Sequence, residues 1–448
     1  MNPVRFALPF ALPLAVVALV FASSVSAEPA PETPVPDTLD LKTAIGYAIE
    51  NNFAIRQARE RIRQQEGVVI EVRAREVPNV AANGYYQRND KTITQTSPAS
   101  DKYWAINLTA TQVLFAGGGV RSAIRSADLI REAALLELKG VINDALLSVR
   151  TNYYDVLLNR EKIKVQEQNV ELLRQQLKNV SNRFEAGTVS SFDKLQAEVA
   201  VANAQVPLIT ARNDYRLAIE SLRQALGFAN KQREFSRKVP QIMGTLDYTP
   251  SNFELETVFH AALDHRPDLQ SYAKLTEARE KSVTTARSNY YPNLELFGGW
   301  ELRKGGTDNF RDSPDGFLVG LQSQWNIFDG RATQGRVAQA RSLLAQSRLS
   351  QTEAQLNVEV EVRRAFSSWQ EATELADASQ KVVAQADEAV RLATARYDAG
   401  TATQLEVLQA QVALTTARTN QLQAYYNYNI AVASLRRAMG LPDEFVTN

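Results

Sequence analysis

The chain has 448 residues, no cysteine, and 50 acidic residues balanced by 50 basic ones. The absence of cysteine excludes disulfide bridges, thiolate metal ligands and a lipid anchor attached to cysteine. A net charge of zero with intermixed signs provides no electrostatic footprint for DNA or RNA, so no nucleic-acid partner is expected.

Residues 1–27 have the parts of a secretory signal peptide: a positive charge at Arg5, an apolar run, and small residues before the cleavage position. An N-terminal membrane anchor is the alternative, which Pro9 and Pro13 inside the apolar run disfavour. Residues 28–38, rich in Pro, Glu and Thr, are predicted to form a flexible leader. We therefore expect an exported protein.

After the predicted signal peptide, no apolar run approaches the roughly 18 residues that a membrane helix needs. An exported chain of this kind can still enter a membrane as β-strands. Whether this chain does so has to be judged from the residue pattern of its predicted strands.

The sequence repeats itself at an offset of about 213 residues. Arg-Phe-Glu-Ala-Gly-Thr at 183–188 matches Arg-Tyr-Asp-Ala-Gly-Thr at 396–401, and Leu-Arg-Gln-Ala-Leu-Gly at 222–227 matches Leu-Arg-Arg-Ala-Met-Gly at 435–440. Self-similarity at a fixed period predicts a duplicated structural unit. The predicted organisation is a first repeat, an irregular connector, a second repeat and a short C-terminal tail, at 39–227, 228–252, 253–440 and 441–448.

Each repeat is predicted to contain, in order, a short helix, a medium helix, two strands, a long helix, a Gly-Thr turn and a final helix. The bounds in the first repeat are about 39–50, 53–76, 79–89, 103–115, 119–185 and 191–227. The bounds in the second repeat are about 253–264, 267–288, 293–303, 316–328, 332–398 and 404–440. A helix of roughly 67 residues is about 100 Å long. The medium and final helices together nearly match that length, so each repeat is predicted to form a long antiparallel rod.

Apolar residues around the two turns recur at alternating steps of three and four, which predicts a coiled-coil seam. Before the turns they are Val170, Leu173, Leu177, Val180 and Phe184, then Val383, Ala386, Val390, Ala393 and Tyr397. After the turns they are Phe192, Leu195 and Val199, then Leu405, Leu408 and Val412. An ordinary coiled-coil rod would explain the helices equally well, but it would not explain the strands.

The predicted strands alternate apolar and polar residues and carry aromatic residues near their ends. This pattern is typical of transmembrane β-barrels, and a small sheet on a soluble core is the alternative. Because lipid cannot satisfy open sheet edges and known barrels have at least about eight strands, four strands per chain predict a barrel shared by several chains. The predicted membrane-facing aromatic residues are Trp104, Trp300, Phe317 and Trp325.

These features resemble the TolC family of outer-membrane efflux proteins over essentially all of the mature chain. The most specific motifs are the two Ala-Gly-Thr turns, each followed by Leu-Gln-Ala-x-Val, and the Phe-x-Gly strand exits at 115–117 and 328–330. The resemblance implies an α+β membrane protein, a homotrimer whose twelve-stranded outer-membrane β-barrel continues into a long periplasmic α-helical barrel. It also implies a periplasmic adaptor protein and, through that adaptor, an inner-membrane pump of RND or ABC type.

The resemblance assigns the turn residues Gly187, Thr188, Gly400 and Thr401 to the tips that the adaptor contacts. The simpler interpretation is that each glycine ends a helix in the left-handed conformation, and both interpretations are compatible.

The resemblance also places a periplasmic gate at the tips. Asp193 and Tyr397 match partners of a lock between helices, and Glu406 matches an acidic position facing the pore. Gln409 replaces a second acidic residue, and Ala402 replaces the arginine of the lock. Solvated acids on a helix surface are the alternative for Asp193 and Glu406.

No enzymatic function is predicted. His260 and His265 are five residues apart, a poor spacing for one helical face, and no third metal ligand is near them in sequence. The sequence contains no nucleotide-binding or nucleophile motif, and the glycines at 117–119 fit a strand-to-helix turn. No cofactor and no metal are expected.

The predicted function is that of a passive, gated duct in the outer membrane. Its cargo would be small molecules, such as drugs and toxic compounds, or type I secreted proteins. The alternative is an exported structural coiled coil or a periplasmic adaptor subunit, although an adaptor would need a lipoyl-like β-domain beside one hairpin.

Overall fold

The computed structural model describes residues 37–90, 102–228, 240–305 and 313–446. The predicted signal peptide lies outside the described residues, as does the predicted leader up to residue 36.

The described part of the chain contains eight α-helices and six strands. The helices are α1 (Leu41–Asn51), α2 (Phe53–Arg73), α3 (Gly119–Glu185), α4 (Ser191–Leu226), α5 (Leu255–His265), α6 (Pro267–Arg287), α7 (Ala332–Asp398) and α8 (Gln404–Ala438). The strands are β1 (Thr38–Leu39), β2 (Asn79–Arg88), β3 (Lys102–Ala116), β4 (Gln241–Ile242), β5 (Asn293–Arg303) and β6 (Asp315–Gln324). None of the described helices has the combined length and apolar content needed to cross a membrane.

The two long helices, α3 and α7, have the bounds that the sequence predicts, and each contains 67 residues. Neither helix contains proline, so nothing interrupts the backbone hydrogen bonds over about 100 Å. α3 follows a tight strand-to-helix turn in which Gly117 has φ 58°. A Cβ atom there would lie 2.7 Å from the Ser288 carbonyl oxygen, which accounts for glycine in this turn.

Four strands form one antiparallel sheet in the order β2-β3-β5-β6. Leu108 of β3 lies opposite Trp300 of β5, and Trp300 lies opposite Phe317 of β6. These apolar side chains therefore lie on one face of the sheet, because residues opposite one another across antiparallel strands project to the same side. β2 and β6 are the two edges of this sheet.

The predicted end of the last strand, at 328, is wrong. β6 ends at Gln324, which lies opposite Asn293, the first residue of β5. Pro292 precedes Asn293 and has no N–H to donate, so the pairing cannot continue on that side. Trp325 therefore lies just outside the strand, and its Nε1 donates a hydrogen bond to the Tyr290 carbonyl at 3.1 Å.

Short strands occur at the end of the predicted leader and within the predicted connector. β1 pairs in parallel with β4, so Thr38 lies opposite Gln241 and Leu39 lies opposite Ile242. Leu39 is fully buried in an apolar cluster with residues of α1, α3 and α4. A second apolar cluster joins α5, α7 and α8. Each short helix thus packs against the long helix of its own half.

The predicted seam residues after the turns are wrong in α4, where Phe192, Leu195 and Val199 are exposed. In α8 only Leu408 of the predicted three is buried, and Leu405 and Val412 are exposed. α4 and α8 instead bury an alanine at every seventh position, because small side chains let neighbouring helices approach closely. These buried alanines are Ala197, Ala204, Ala211 and Ala218, then Ala417, Ala424, Ala431 and Ala438. A second stripe of α4 consists of larger apolar residues that this chain leaves exposed, Phe192, Leu195, Val199, Val206 and Ile209.

Candidate functional site

The two helical hairpins end in turns of nearly identical geometry. Gly187 and Gly400 both have φ 74°, in the left-handed region that favours glycine. The hydroxyls of Thr188 and Thr401 each donate to the carbonyl oxygen five residues earlier, at 2.9 and 3.1 Å. A Cβ atom on either glycine would have no neighbour within 4 Å. The turns are therefore closed internally, and their outer surface is open.

The candidate gate acids Asp193 and Glu406 are the third residues of two equivalent N-terminal capping boxes. The Asp193 carboxylate accepts from the Ser190 N–H at 3.0 Å and from its hydroxyl at 2.7 Å. The Glu406 carboxylate accepts from the Thr403 N–H at 3.2 Å and from its hydroxyl at 3.3 Å. Both acids fix the first turn of the helix that follows the tip. The Ser-x-x-Asp and Thr-x-x-Glu spacing could have revealed this from the sequence.

The contact between the two tips is made by Arg183, which the sequence did not single out. Its Nη2 donates to Asp398 Oδ1 at 3.0 Å, and its guanidinium carbon lies 4.8 Å from the centroid of the Tyr397 ring. The structure does not join Asp193 to Tyr397. The Tyr397 hydroxyl is buried and has no hydrogen-bond partner among the described residues. An arginine on α3 thus contacts Tyr397, one of the residues that the sequence resemblance assigned to the gate.

Glu406 has a second polar neighbour at the second tip. Its Oε2 lies 3.4 Å from Arg396 Nη1, and Arg396 Nη2 donates to the Thr401 carbonyl at 3.3 Å. Gln409 is exposed on the next turn of α8. The acidic character of this tip is therefore partly compensated within the chain.

The predicted membrane-facing residues differ in their surroundings. Trp104 and Trp300 are half-buried, and Trp300 Nε1 donates to Asp315 Oδ2 at 3.1 Å. Phe317, on the edge strand β6, is 91% exposed. Trp104 and Trp300 lie on the two inner strands, whereas Phe317 lies on an edge strand. Among these aromatic residues, exposure is therefore greatest at the β6 edge of the sheet.

The predicted C-terminal tail, 441–448, is held by a buried arginine over its described residues. Arg150 Nε donates to Asp443 Oδ2 at 2.5 Å, and Arg150 Nη2 donates to Glu444 Oε1 at 2.8 Å. Arg150 also lies over the Phe445 ring, 5.2 Å from its centroid. Burial alone would raise the pKa of Asp443, but the Arg150 hydrogen bond and charge and the Phe445 N–H hold this pKa below its ordinary value.

A second charge cluster lies where α5 and α6 meet α7 and α8. Glu361 of α7 accepts hydrogen bonds from Arg266 and from Arg437, and Arg437 also pairs with Asp144 of α3. Arg266 is buried and pairs with Asp268 as well. The cluster joins four helices through charge-assisted hydrogen bonds.

No group of metal-ligating residues occurs within the described ranges. His265 Nδ1 lies 3.0 Å from the Ala261 carbonyl oxygen, one turn earlier in the same helix. That contact is a local hydrogen bond of α5.

Comparisons with known proteins agree on one family. A profile of the outer membrane efflux protein family matches residues 44–228 and 258–441. Over 409 residues the chain is 27% identical to the cobalt-zinc-cadmium resistance protein CzcC of Cupriavidus metallidurans, covering 90% of each chain. It is 26% identical to outer membrane protein TolC of Escherichia coli, covering 67% of this chain and 62% of TolC. The solved outer membrane channel CmeC of Campylobacter jejuni has the same fold, with a TM-score of 0.79, 15% identity, and coverage of 93% of this chain and 90% of CmeC.

The family profile, together with two long helical hairpins joined to a four-stranded sheet, assigns the chain to the class of outer-membrane export channels. The profile covers most of the sequence, and the chain belongs to the outer membrane efflux protein family. The predicted resemblance to the TolC family is thereby confirmed. The assignment places the protein in the outer membrane as an export channel, and it favours a channel over an adaptor subunit or an enzyme.

Proposed function

We propose that three copies of this chain form one passive, gated duct through the outer membrane. The observation that carries this proposal is a difference between two equivalent leucines. Leu408 of α8 is 9% exposed, because it packs with Val170 and Leu173 of α3. Leu195, its counterpart in α4, is 57% exposed. A neighbouring copy that covers α4 as α3 covers α8 would remove this difference.

The open sheet edges support the same assembly. β2 and β6 each have only one neighbouring strand in the chain. In lipid the unpaired N–H and C=O groups of such edges would cost several kcal/mol each, so a membrane-inserted sheet has to close. Three copies would supply the twelve strands expected from the family resemblance. The repeats at 39–227 and 253–440 would then provide similar sectors around one tube.

The tip turns are proposed to contact a periplasmic adaptor, which would link the duct to an inner-membrane pump of RND or ABC type. Gly187, Thr188, Gly400 and Thr401 would form this contact. The backbone hydrogen bonds of both turns are made within the chain. The space outside each glycine is empty, so the outer surface of the turns is available for an adaptor.

Replacing Gly400 with leucine is expected to abolish export while leaving the assembly intact. The left-handed backbone makes the substitution cost about 1–2 kcal/mol, which a large assembly tolerates. The new side chain would project into open space at the tip, where the adaptor would bind. Export from cells and native mass of the purified protein measure the two effects. Gly335→Leu is the control, because it also adds a side chain in open space, at the opposite end of α7. Normal export by the Gly400 variant would contradict the proposed contact.

The gate is proposed to include Asp193, Tyr397, Glu406 and Gln409, with Arg183 as the contact between tips. Replacing Arg183 with glutamine removes an exposed ion pair and a cation–π contact, each contributing about 0.5–1 kcal/mol. The two losses together favour the open state by about 1–2 kcal/mol, so we expect the open population to rise roughly fivefold to thirtyfold, measured as the open fraction in single-channel recordings in planar bilayers. Arg391→Gln removes the same charge from a pair confined to α7 and should change nothing. Equal open fractions in the Arg183 and Arg391 variants would show that Arg183 is not part of the gate.

The cargo is proposed to be set by the partner pump. The proposed cargo classes are small toxic compounds and type I secreted proteins. Metal ions are added as a third class because the relative CzcC is named for cobalt, zinc and cadmium resistance. The described residues offer no metal-ligating group that would bind such ions in the duct. Export would begin with the predicted signal peptide at 1–27.

A further inference from the structure

We infer that the internal repeat determines which residues of neighbouring copies contact each other, and we call this contact between copies the join. In this proposal β6 of one chain pairs with β2 of the next in the register that β3 has with β5. Likewise α7 packs on the neighbour's α4 as α3 packs on α8 within one chain. The inference rests on the proposed assembly of several copies and adds to it the register and the chemistry of the contact.

Exposure of equivalent residues in the two repeats indicates a missing neighbour beside β6. Leu114 and Phe115 of β3 are 53% and 46% exposed. Their counterparts after β6, Ile327 and Phe328, are 84% and 82% exposed. β3 has a strand on both sides and β6 has a strand on one side only. The difference is therefore the area that one more strand would cover.

The register follows from the pairing inside the chain. Leu108 lies opposite Trp300 within the chain. Their counterparts in the other repeat are Leu321 and Tyr86, so Leu321 of one copy would lie opposite Tyr86 of the next. Similarly, Phe115 lies opposite Leu294, which places Phe328 opposite the neighbour's Val80.

This register has a structural consequence for the end of β6. β3 continues to Ala116, whose counterpart is Asp329. Residues 325–329 would therefore join the strand once the neighbour's β2 is present. Trp325 would then point to the apolar face, as the alternation in the sequence predicts.

The helical part of the proposed join differs in chemistry from the contact within a chain. Lys162 of α3 donates to Gln423 of α8 at 3.1 Å, and the corresponding residues are Leu375 of α7 and Thr210 of α4.

A second pair shows the same change. Thr415 of α8 donates to Asn169 of α3 at 3.1 Å, and the corresponding residues are Ala202 and Val382. Leu375 and Val382 are both exposed in the single chain. The contact within a chain is thus hydrogen-bonded, whereas the contact between chains is more apolar. This difference disfavours exchange of α4 and α8 during assembly, because Lys162 and Asn169 would lose their partners.

Disulfide cross-linking tests the register directly, since the natural chain has no cysteine. The test pairs are Leu321→Cys with Tyr86→Cys, and Val382→Cys with Ala202→Cys. The control pair is Leu321→Cys with Gln87→Cys, because a shift of one residue moves a side chain to the other face of the sheet. A disulfide needs Cα atoms about 4.4–6.8 Å apart, so cross-linking reports the pairing.

We expect both test pairs to give cross-linked dimers and trimers on non-reducing gels, at least tenfold above the control pair and the single-cysteine variants. One outcome would overturn only the register. In it, the helix pair and the control strand pair cross-link and the test strand pair does not, so the copies still assemble but with shifted strands. Failure of both test pairs in a protein whose native mass shows three chains would overturn the proposed join. A monomeric native mass would instead overturn the proposed function.

Discussion

Replacing Gly227 with alanine is expected to lower the free energy of unfolding by roughly 3–5 kcal/mol. Gly227 ends α4 with φ 77°, and a Cβ atom there would lie 2.4 Å from the Asn51 carbonyl oxygen. The backbone of Asn51 and Asn52 cannot yield easily, because Asn52 caps α2 and its side-chain amide also donates to the Ala225 carbonyl. The substitution therefore separates the final helix from the junction of the two helices that begin the repeat.

The matched control for this prediction is Gly187→Ala. Gly187 has nearly the same backbone conformation, with φ 74°, but a Cβ atom there has no neighbour within 4 Å. Only the left-handed strain remains, about 1–2 kcal/mol. Heat-induced unfolding of the two purified variants in detergent measures the difference. Equal losses would show that the close approach at Gly227 relaxes without cost.

Replacing Arg150 with leucine is expected to lower the free energy of unfolding by about 3–5 kcal/mol. Arg150 is buried, and the substitution leaves Asp443 without its guanidinium partner and Glu444 with only Arg436. The tail would detach from α3, and protease digestion near residue 443 should accelerate. Arg363→Leu is the control, since Arg363 is the counterpart of Arg150 in the second repeat, is exposed, and among the described residues pairs only with Glu359, one turn away. That variant should lose about 0.5 kcal/mol or less.

The contribution of Arg150 to the free energy of unfolding should decrease as the pH falls. The pKa of Asp443 is lowered in the folded protein, so its stabilisation is complete above the unfolded value of about 3.9. The stabilisation is lost as the pH falls below that value and through the folded pKa. The stability difference between the natural protein and the Arg150 variant should therefore narrow below about pH 4. A difference that widens in acid would contradict the assigned role of the pair.

The sequence predicted the long helices and their turns well because their determinants are local. Uninterrupted helix-forming residues fix α3 and α7, and Gly187 and Gly400 fix the turns. Glycine followed by threonine satisfies the last carbonyl groups of each helix in the same way in both repeats. No distant contact is needed for these features, so the pattern alone suffices.

The contacts between distant segments could not be predicted in the same way. Arg183 meets Asp398, and Arg150 meets Asp443, only because the fold brings together residues more than 200 positions apart. The buried stripe of α4 was predicted wrongly because hydrophobicity favoured Phe192 and its successors over the alanines that pack within the chain. Both stripes have helical spacing, and the sequence does not indicate which neighbour each one meets.

The central claim is that three copies of this chain form one outer-membrane duct, and the native mass of the protein tests it most directly. The protein should be extracted with detergent from the outer-membrane fraction of cells that produce the full chain, and native mass spectrometry should count the chains in each particle. We predict particles of three chains recovered from that fraction. A monomer, or recovery of the protein from the soluble periplasmic fraction without detergent, would contradict the proposed duct.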